Sequence, residues 1–316
     1  MKAAVIDGYG GADRFQVREV EKPAPGPGQL LVRVRATSVN PLDWKVRKGS
    51  LRLVKRVRFP LVLGYDLAGE VEAIGAEVSH FEPGDAVYAY SPAGGGYAEY
   101  ALVAEDAAAP KPAGLSFEEA AAVPLSALTA LQALRDRGEL DEGERLLVNG
   151  GAGGVGHFAV QIGKVLGARV AAVASGRNLD FLRTMGADRG IDYAQEDFTK
   201  DDETFHVVFD AVGSSSFKEC DLILDEGGVY VTTTFSPDLV VRGMVSLVGK
   251  LFGPVRYARA VMVRPSSRDL AFLGRLIDTG RLRPHVEEVF RLERIADAHV
   301  YSEEGHVRGK LVVRIE

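Results

Sequence analysis

Val148–Gln161 reads VNGGAGGVGHFAVQ, with five glycines among its first nine residues. Glycine weakens regular structure, so a cluster of glycines between an apolar strand and an apolar helix indicates a close approach of the backbone to another group. Gly151, Gly153 and Gly156 fit the spacing G-x-G-x-x-G, directly after the strand-like RLLVN. In that context the glycines permit the turn, admit a pyrophosphate and let the helix pack on the strand. The stretch predicts a dinucleotide site; a glycine-rich connection without a ligand is the alternative.

The segments on either side of this stretch predict two kinds of architecture. From Leu125 onward, helices alternate with short apolar strands such as RVAAVAS and HVVFDAV. This alternation predicts an α/β fold with a doubly wound parallel sheet. The first hundred residues instead contain short strand-like runs separated by turns such as PAPGPG and EPGD, which favour a β-barrel or sandwich. The closing strand GKLVVRI either extends the parallel sheet or returns to the first domain.

Length and composition limit the class of protein. A chain of 316 residues favours two domains, and an apolar fraction of 46% with 26% charged residues is typical of a soluble globular protein. The net charge of -6 argues against nucleic acid as a partner. Cys220 is the single cysteine, so the chain cannot build a disulfide framework or a multi-cysteine metal site.

The N-terminal segment and the most apolar later segment bear on the location of the protein. The N-terminal MKAAVIDGYG lacks the sustained apolar segment of a signal peptide, which makes a cytoplasmic location the default expectation. The apolar segment at residues 239–254 contains Arg242 and Lys250 and is shorter than the roughly 20 residues of a membrane span. We expect it to form a pocket wall or a subunit contact rather than a membrane-surface patch, with no stable membrane insertion.

The corner after the next strand bears on the choice of nicotinamide cofactor. An NAD site commonly places a carboxylate there to bind the ribose hydroxyls. Here RVAAVAS ends at Ser175 and is followed by Gly176 and Arg177, without a carboxylate. Because Arg177 would attract a ribose phosphate, the sequence favours NADPH. The alternative is that Arg177 is an ordinary solvated residue.

Other catalytic patterns are missing from the sequence. The six histidines show no HExxH or comparable ligand spacing, and no G-x-S-x-G elbow is present. The chemistry is therefore expected to come mainly from the cofactor, with the protein supplying orientation and electrostatics.

Several motifs resemble one known family in order and spacing. They are ATSVNPLDWKVRKG, PLVLGYDLAGEVEAIG, FEPGDAVYA, VNGGAGGVG, MGADRGIDY and GKLVV. The chain resembles the medium-chain dehydrogenase/reductase superfamily and, within it, the zinc-free quinone oxidoreductase-like branch. The resemblance implies a GroES-like β-barrel domain at residues 1–121 and 269–316. It implies a Rossmann dinucleotide-binding domain at residues 122–268 and a homodimer or tetramer.

The resemblance also bears on metal and on reaction type. Where zinc-dependent relatives have a cysteine this chain has SVNPLD, and where they have GHE it has GYD; the four-cysteine zinc lobe is missing. Zinc-free members reduce quinones or the activated C=C bond of enones and alkenals with NADPH. A metal-free carbonyl reductase or alcohol dehydrogenase, and a redox sensor that binds NADPH without turnover, are the alternatives.

The matching motifs nominate candidate site residues. Asn40, Lys45 and Tyr65 are the catalytic candidates, as groups near the substrate oxygen or the nicotinamide. Lys45 is otherwise a solvated lysine, and Tyr65 otherwise lines the pocket. The resemblance carries cofactor contacts over to Thr129, Gly153, Gly154, Val155, Ser175, Arg177, Tyr193, Val212, Gly213, Thr234, Phe235 and Lys310. Lys310 is the weakest of these, because a lysine that begins an edge strand needs no functional reason.

Overall fold

The computed structural model describes residues 1–53, 55–234 and 256–316. They form two compact units: unit 1 comprises Met1–Leu128 and Pro265–Glu316, and unit 2 comprises Thr129–Arg264. Both changes of unit lie a few residues from the boundaries expected at 121/122 and 268/269. The candidate residue Phe235 and the apolar segment 239–254 lie outside the described residues.

The strands follow the apolar runs of the sequence. In chain order they are β1 Lys2–Ile6, β2 Gln16–Glu19, β3 Gln29–Val39, β4 Leu61–Val62, β5 Asp66–Ile74, β6 Ala86–Tyr90, β7 Tyr100–Ala104, β8 Ala108–Pro110, β9 Arg145–Asn149, β10 Arg169–Ala174, β11 Arg189–Asp192, β12 Phe205–Asp210, β13 Leu224–Thr232, β14 Tyr257–Ala260, β15 Val286–Arg291 and β16 Lys310–Arg314.

The helices lie between these strands. They are α1 Pro41–Arg47, α2 Phe117–Ala121, α3 Pro124–Leu131, α4 Gly156–Val165, α5 Leu179–Thr184, α6 Phe217–Cys220, α7 Ser267–Asp278 and α8 Ile295–Glu303. A π-helical segment, Gln132–Arg137, continues α3 to Gly138. The first change of unit falls within α3.

Unit 1 is built on mainly antiparallel sheets. One sheet has the order β2-β1-β4, and the other has the order β15-β16-β3-β5-β6-β8, with β7 also paired to β3. The terminal strand β16 runs antiparallel to β3, with Leu311 opposite Val39. Of the two placements left open by the sequence, the end of the chain therefore takes the return to the first unit. This pairing brings residues near position 310 beside those near position 40.

Unit 2 is a parallel sheet with the strand order β11-β10-β9-β12-β13-β14. This order reverses between β9 and β12, which creates the switch point where doubly wound sheets bind ligands. Leu146, Leu147 and Val148 of β9 are fully buried, as a central parallel strand requires. The predicted doubly wound α/β fold is confirmed.

Local signals in the sequence set the ends of several helices. The spacing of Ser116 and Glu119 in the sequence predicts a capping box, and the structure has it at the start of α2. Gly167 follows α4 at φ 86°, in the left-handed region where glycine commonly ends a helix. The segment SSFKECDLIL forms only a short helix: α6 ends at Cys220, and a 3-10 turn leads directly into β13.

Candidate functional site

The glycine loop of unit 2 is shaped by close backbone contacts. Gly150 has φ 79°, which glycine adopts without strain. A Cβ added at Gly156 would lie 2.0 Å from the Gly150 carbonyl oxygen, and one at Gly151 would lie 2.9 Å from the Ala172 Cβ. At Gly153 the nearest atom would be 3.5 Å away, an ordinary contact. Packing within the chain therefore requires glycine at positions 151 and 156 but not at 153.

The start of α4 presents unpaired donors. Within the described residues, the backbone N–H groups of Gly154, Val155 and Gly156 donate to no acceptor. Such donors at a helix N-terminus, together with the helix dipole, attract phosphate. The loop thus fits the pyrophosphate of a nicotinamide dinucleotide. The small residue at Gly153 leaves the backbone open to such a group.

A buried carboxylate organises the far side of the switch point. Asp210, at the end of β12, accepts hydrogen bonds from Asn149 Nδ2 at 3.0 Å and from the Gly213 N–H at 2.8 Å. Ser215 donates to it through both its N–H and its hydroxyl, and the Tyr230 hydroxyl donates at 3.0 Å. All these donors are neutral. Asp210 therefore fixes the loop after β12 against the end of β9.

This loop brings three predicted cofactor residues together. The Val212 side chain lies against Gly150, because an added Cβ on Gly150 would lie 2.0 Å from Val212 Cγ2. Gly213 has φ 78° and lies against Thr234, whose Oγ1 would be 1.8 Å from an added Cβ. Val212 and Thr234 are exposed. The three residues form a continuous edge next to the glycine loop.

The corner after β10 carries the residues predicted to select the cofactor. Arg177 is exposed, and in the described part of the chain it forms no hydrogen bond or ion pair. Tyr193, 57% exposed, directly follows β11, which pairs with β10. Ser175 is half-buried and accepts a hydrogen bond from Asn178 at 3.1 Å.

One expectation about this corner was wrong. The sequence places no carboxylate at the end of β10, but parallel pairing sets Asp192 of β11 opposite Ala174. A Cβ added at Gly176 would lie 2.6 Å from Asp192 Oδ2. The corner therefore holds a carboxylate as well as Arg177. Sequence position concealed it, because neighbouring strands bring together residues that are far apart along the chain.

Thr129 is the remaining predicted cofactor residue of unit 2. It is 6% exposed and lies in α3 at the start of the unit. Its predicted contact with the cofactor stays a prediction.

In unit 1, Asn40 lies in a buried polar cluster. It is the N-cap of α1, with Pro41 at the first helical position. The Asn40 Nδ2 donates to Asp66 Oδ2 at 2.9 Å, and its Oδ1 accepts from the Lys310 ammonium. Asp66 also accepts from the Ser38 hydroxyl at 2.6 Å and the Leu125 N–H at 2.7 Å. Both ends of the Asn40 amide are thus engaged within unit 1.

Lys310 also belongs to this buried polar cluster. It is 2% exposed, and its ammonium lies 3.6 Å from Asp66 Oδ2. Burial lowers the pKa of Lys310, and the charges of Asp66 and Asp43 oppose that shift. In unit 1 its polar head contacts Asn40 and Asp66, which sequence reasoning did not connect because Lys310 is 270 positions from Asn40. Its predicted cofactor contact is untested.

A second buried carboxylate lies beside this cluster. Asp43 accepts from the Asn40 and Gly64 N–H groups, each at 2.9 Å. Burial raises the pKa of Asp43 to about 7, the two N–H donors oppose the shift, and the charge of Asp66 adds to it. Burial and the charge of Asp43 raise the pKa of Tyr97, whose hydroxyl lies 3.1 Å from His299 Nε2. A carboxyl with this pKa changes protonation state near neutral pH.

Tyr65 and Lys45, the other catalytic candidates, have different surroundings. Tyr65 is 2% exposed, and burial strongly raises the pKa of its phenol. Lys45 is half-buried, with its ammonium 5.6 Å from the centre of the Trp44 ring. The Lys55 ammonium lies 4.1 Å from the centre of the Tyr65 ring and donates to the Pro92 carbonyl at 2.9 Å. Burial lowers the pKa of Lys55.

Lys55 is a candidate that sequence reasoning missed. Its signal in the sequence is weak, because it is one of many basic residues between Asp43 and Asp66. Only the fold shows that its ammonium turns toward Tyr65, whereas its neighbours Arg52 and Arg56 are exposed.

The described residues offer neither a clustered set of metal ligands nor a membrane-spanning helix. No group of three or more histidine, cysteine, aspartate and glutamate side chains is arranged to hold a metal ion in the ranges 1–53, 55–234 and 256–316. Among the same residues, no helix has both the length and the apolar character needed to cross a membrane.

Comparison with known proteins identifies relatives along the whole chain. Residues 26–113 match the alcohol dehydrogenase GroES-like domain, and residues 185–313 match the zinc-binding dehydrogenase family. The chloroplast envelope quinone oxidoreductase homolog of Arabidopsis thaliana is 31% identical over 99% of this chain and 98% of its own length. The NADPH-dependent alkenal/one oxidoreductase of the same plant is 36% identical over 99% of this chain and 79% of its own length.

A solved structure agrees with these relatives. The quinone oxidoreductase from Coxiella burnetii superposes with a TM-score of 0.88 at 35% identity, covering 100% of this chain and 99% of that one. Together with the GroES-like match, this similarity confirms the predicted combination of a GroES-like domain and a Rossmann domain.

Proposed function

The chain belongs to the quinone oxidoreductase-like branch of the medium-chain dehydrogenase/reductase superfamily and is thus an oxidoreductase with a nicotinamide cofactor, and from this we propose its reaction. It uses NADPH to reduce quinones or the activated C=C bond of enones and alkenals. The observation that carries the proposal is the glycine loop at the switch point, with its three unpaired N–H groups. The bound cofactor would supply the hydride.

Unit 2 would hold this cofactor by its backbone. We assign the pyrophosphate to the N–H groups of Gly154, Val155 and Gly156, and the nicotinamide half to the edge formed by Val212, Gly213 and Thr234. In this proposal Phe235 and Thr129 keep their predicted contacts. Asp210 would position part of this edge, because it accepts from the Val212 and Gly213 N–H groups.

The preference for NADPH depends on the corner after β10. A ribose phosphate would accept charge-assisted hydrogen bonds from Arg177, with Ser175 and Tyr193 beside it. Each such bond contributes about 1.5 to 3 kcal/mol, so Arg177→Ala should lower the NADPH-to-NADH ratio of kcat/KM by roughly 10- to 150-fold. Arg183→Ala, at an exposed arginine of α5, is the matched control. An unchanged ratio in Arg177→Ala would remove this part of the proposal.

Unit 1 would supply the groups that act on the substrate oxygen. Reduction of an enone develops negative charge on the conjugated oxygen, which needs a hydrogen-bond donor or a cation. We propose Tyr65, Lys45 and Lys55 for this role, and the Lys55 ammonium lies over the face of the Tyr65 ring. Asn40 would have a positioning role instead of contacting the substrate oxygen, because Asp66 and Lys310 already engage both ends of its amide. Asp43 is the nearby group whose proton equilibrates near neutral pH.

A zinc-free reaction is part of the proposal. The resemblance places the Asn40 amide and the Tyr65 phenol where zinc-dependent relatives bind metal with cysteine and histidine, and neither replacement is a good zinc ligand. Turnover that survives dialysis against a chelator, with less than stoichiometric zinc in the purified protein, is the expected result. Stoichiometric zinc that is required for turnover would contradict it.

The decisive experiment is a panel of electron acceptors. NADPH oxidation should be fast with a small quinone or an enal and slow with the saturated aldehyde of equal length. Fast reduction of the saturated aldehyde would favour the carbonyl reductase alternative. Tight NADPH binding without oxidation by any acceptor would favour the redox sensor. A homodimer and a cytoplasmic location also stay predictions; several relatives are chloroplastic or mitochondrial by name.

A further inference from the structure

The sequence between Asp43 and Asp66 has a charge pattern that the proposed catalysis leaves largely unused. It carries seven basic residues and no acidic residue, in a chain whose net charge is -6. Such a concentration of one sign in an acidic protein produces a local positive potential. The structure shows which of these charges remain available.

Four of the seven basic residues are occupied or turned inward. Arg47 and Lys48 both pair with Glu303 of α8. Lys45 is half-buried, and the Lys55 ammonium lies over the Tyr65 ring. Their charges are thus neutralised or directed into unit 1.

The remaining three arginines face solvent. Arg52, Arg56 and Arg58 are exposed and form no ion pair within the part of the chain that the structure describes. Leu53 lies among them and is 91% exposed. The backbone here is held in a turn by the Arg52 N–H, which donates to Gly49 O at 3.1 Å. We call Arg52, Leu53, Arg56 and Arg58 the basic loop.

We propose that the basic loop docks on an anionic lipid surface. The headgroups of such a surface offer negative charge to the three arginines, and its interface accepts the apolar Leu53 side chain. A nucleic acid would satisfy the arginines but not the exposed leucine. A small soluble anion needs convergent, partly buried donors, and these arginines are exposed. The loop therefore binds the bilayer peripherally, without inserting a span.

The basic loop also indicates a class of substrate, and this part of the inference rests on the proposed function. Quinones and enals with long hydrocarbon tails concentrate in bilayers because burying each CH₂ group away from water is favourable. An enzyme held at the lipid surface meets these acceptors at high local concentration. The class of substrate assigned by this reasoning is a lipophilic acceptor dissolved in the membrane.

Vesicle sedimentation tests the docking directly. The purified protein should bind vesicles of phosphatidylcholine with about one-third phosphatidylserine, bind pure phosphatidylcholine much less, and be released by salt. Replacing Arg52, Arg56 and Arg58 by glutamine should weaken binding by roughly fivefold per residue, about 100-fold in all. The control variant replaces Arg183, Lys200 and Arg291 by glutamine, the same change in charge at exposed sites elsewhere. It should bind almost as the wild type does.

A second pair of variants tests the apolar contact. Leu53→Ala should weaken vesicle binding severalfold, while Leu222→Ala, at a leucine that is 76% exposed in unit 2, should not. Activity toward a short, water-soluble quinone should be unchanged in the triple glutamine variant, which shows that it is folded. If no acceptor is reduced at all, the proposed function fails, and the vesicle data still decide the docking.

Several outcomes would overturn the docking proposal. They are equal binding to neutral and anionic vesicles, no binding to either, and equal losses in the test and control triples. A triple variant with unchanged vesicle binding but a raised KM for a soluble anionic acceptor would assign the arginines to substrate binding instead.

Discussion

Asp210 of unit 2 and Asp66 of unit 1 are both fully buried carboxylates at the end of a strand, but their partners differ. Among the residues that the structure describes, Asp210 accepts only from neutral N–H and O–H donors, which lie between positions 149 and 230. Asp66 accepts from three neutral donors and also faces the Lys310 ammonium. Unit 2 therefore uses its carboxylate to shape backbone, and unit 1 keeps opposite charges buried among its candidate catalytic residues.

The difference shows how each unit meets the cost of burial. A buried carboxylate is stable when hydrogen bonds satisfy it, and a buried ammonium needs a charged partner as well. Removing one member of a buried pair leaves the other uncompensated. The four predictions below concern the buried charge pair of unit 1, the sterics of the glycine loop, the buried His299 and the carboxylate at the corner after β10.

The largest effect is expected at Asp66. Asp66→Ala leaves the Lys310 ammonium buried with the Asn40 amide oxygen as its polar contact, so we expect a loss of about 3–5 kcal/mol in the free energy of unfolding. Lys310→Met leaves Asp66 its three neutral donors and should cost less, about 1–3 kcal/mol. Urea denaturation measures both. If the two variants lose the same free energy of unfolding, then compensating the charge of Lys310 is not the main contribution of Asp66 to stability.

The glycine loop gives the next largest effect. Gly156→Ala sets a methyl group 2.0 Å from a backbone oxygen, which cannot swing away as a side chain can. We expect a loss of about 3 kcal/mol in stability and of measurable dinucleotide binding. Gly153→Ala is the matched comparison, since its methyl group meets only an ordinary contact at 3.5 Å. It should leave stability nearly unchanged and still weaken cofactor binding; equal destabilisation by both would refute the steric argument.

A pH effect is expected in unit 1 through His299. Burial lowers the pKa of His299 from 6.5 to about 3, and the charge of Arg47 adds to the shift. A histidine with a depressed folded pKa stabilises the fold above 6.5, and that stability is lost as pH falls toward 3. The raised pKa of Asp43 acts oppositely, since its stability is lost as pH rises through about 7.

The variant His299→Gln separates these two contributions. Its amide can still accept from the Tyr97 hydroxyl but does not titrate. We expect its stability to fall less than that of the wild type between about pH 7 and about pH 4. Urea midpoints at several pH values measure this. Parallel curves for the two proteins would show that His299 is not the titrating group.

The smallest effect is expected at the β10 corner. Asp192 lies beside Gly176, and its negative charge opposes a ribose phosphate there. Asp192→Asn should raise the NADPH-to-NADH ratio of kcat/KM severalfold, opposite in direction to Arg177→Ala. Asp180→Asn, at an exposed aspartate of α5, controls for net charge. A ratio that falls in Asp192→Asn would mean that the carboxylate assists the phosphate contacts.

Features determined by local sequence could be predicted. The capping box at Ser116, the turn at Gly167 and the alternation of helices and strands in unit 2 depend on neighbouring residues. The glycine loop is likewise local, because its donors are consecutive N–H groups that need only the strand before them and the helix after them. This is why the glycine loop and its donors could be predicted from one stretch.

The cluster in unit 1 could be predicted only in part. Asn40 and Lys310 were each nominated, but nothing in the sequence joined them or added Ser38 and Lys55. Antiparallel pairing of β16 with β3 brings Lys310 to Asn40, and parallel pairing of β11 with β10 brings Asp192 to the ribose corner. Strand registers of this kind depend on long-range packing.

The sequence by itself determined the two architectures, the glycine loop and the family, because each depends on short motifs whose backbone geometry is local. The tertiary structure alone decided which charges are paired, buried or free. It turned Lys55 toward Tyr65, joined Lys310 to Asp66 and left Arg52, Arg56 and Arg58 exposed. The physical reason is that the energy of a charge depends on its partners and on its distance from water, and chain folding sets both.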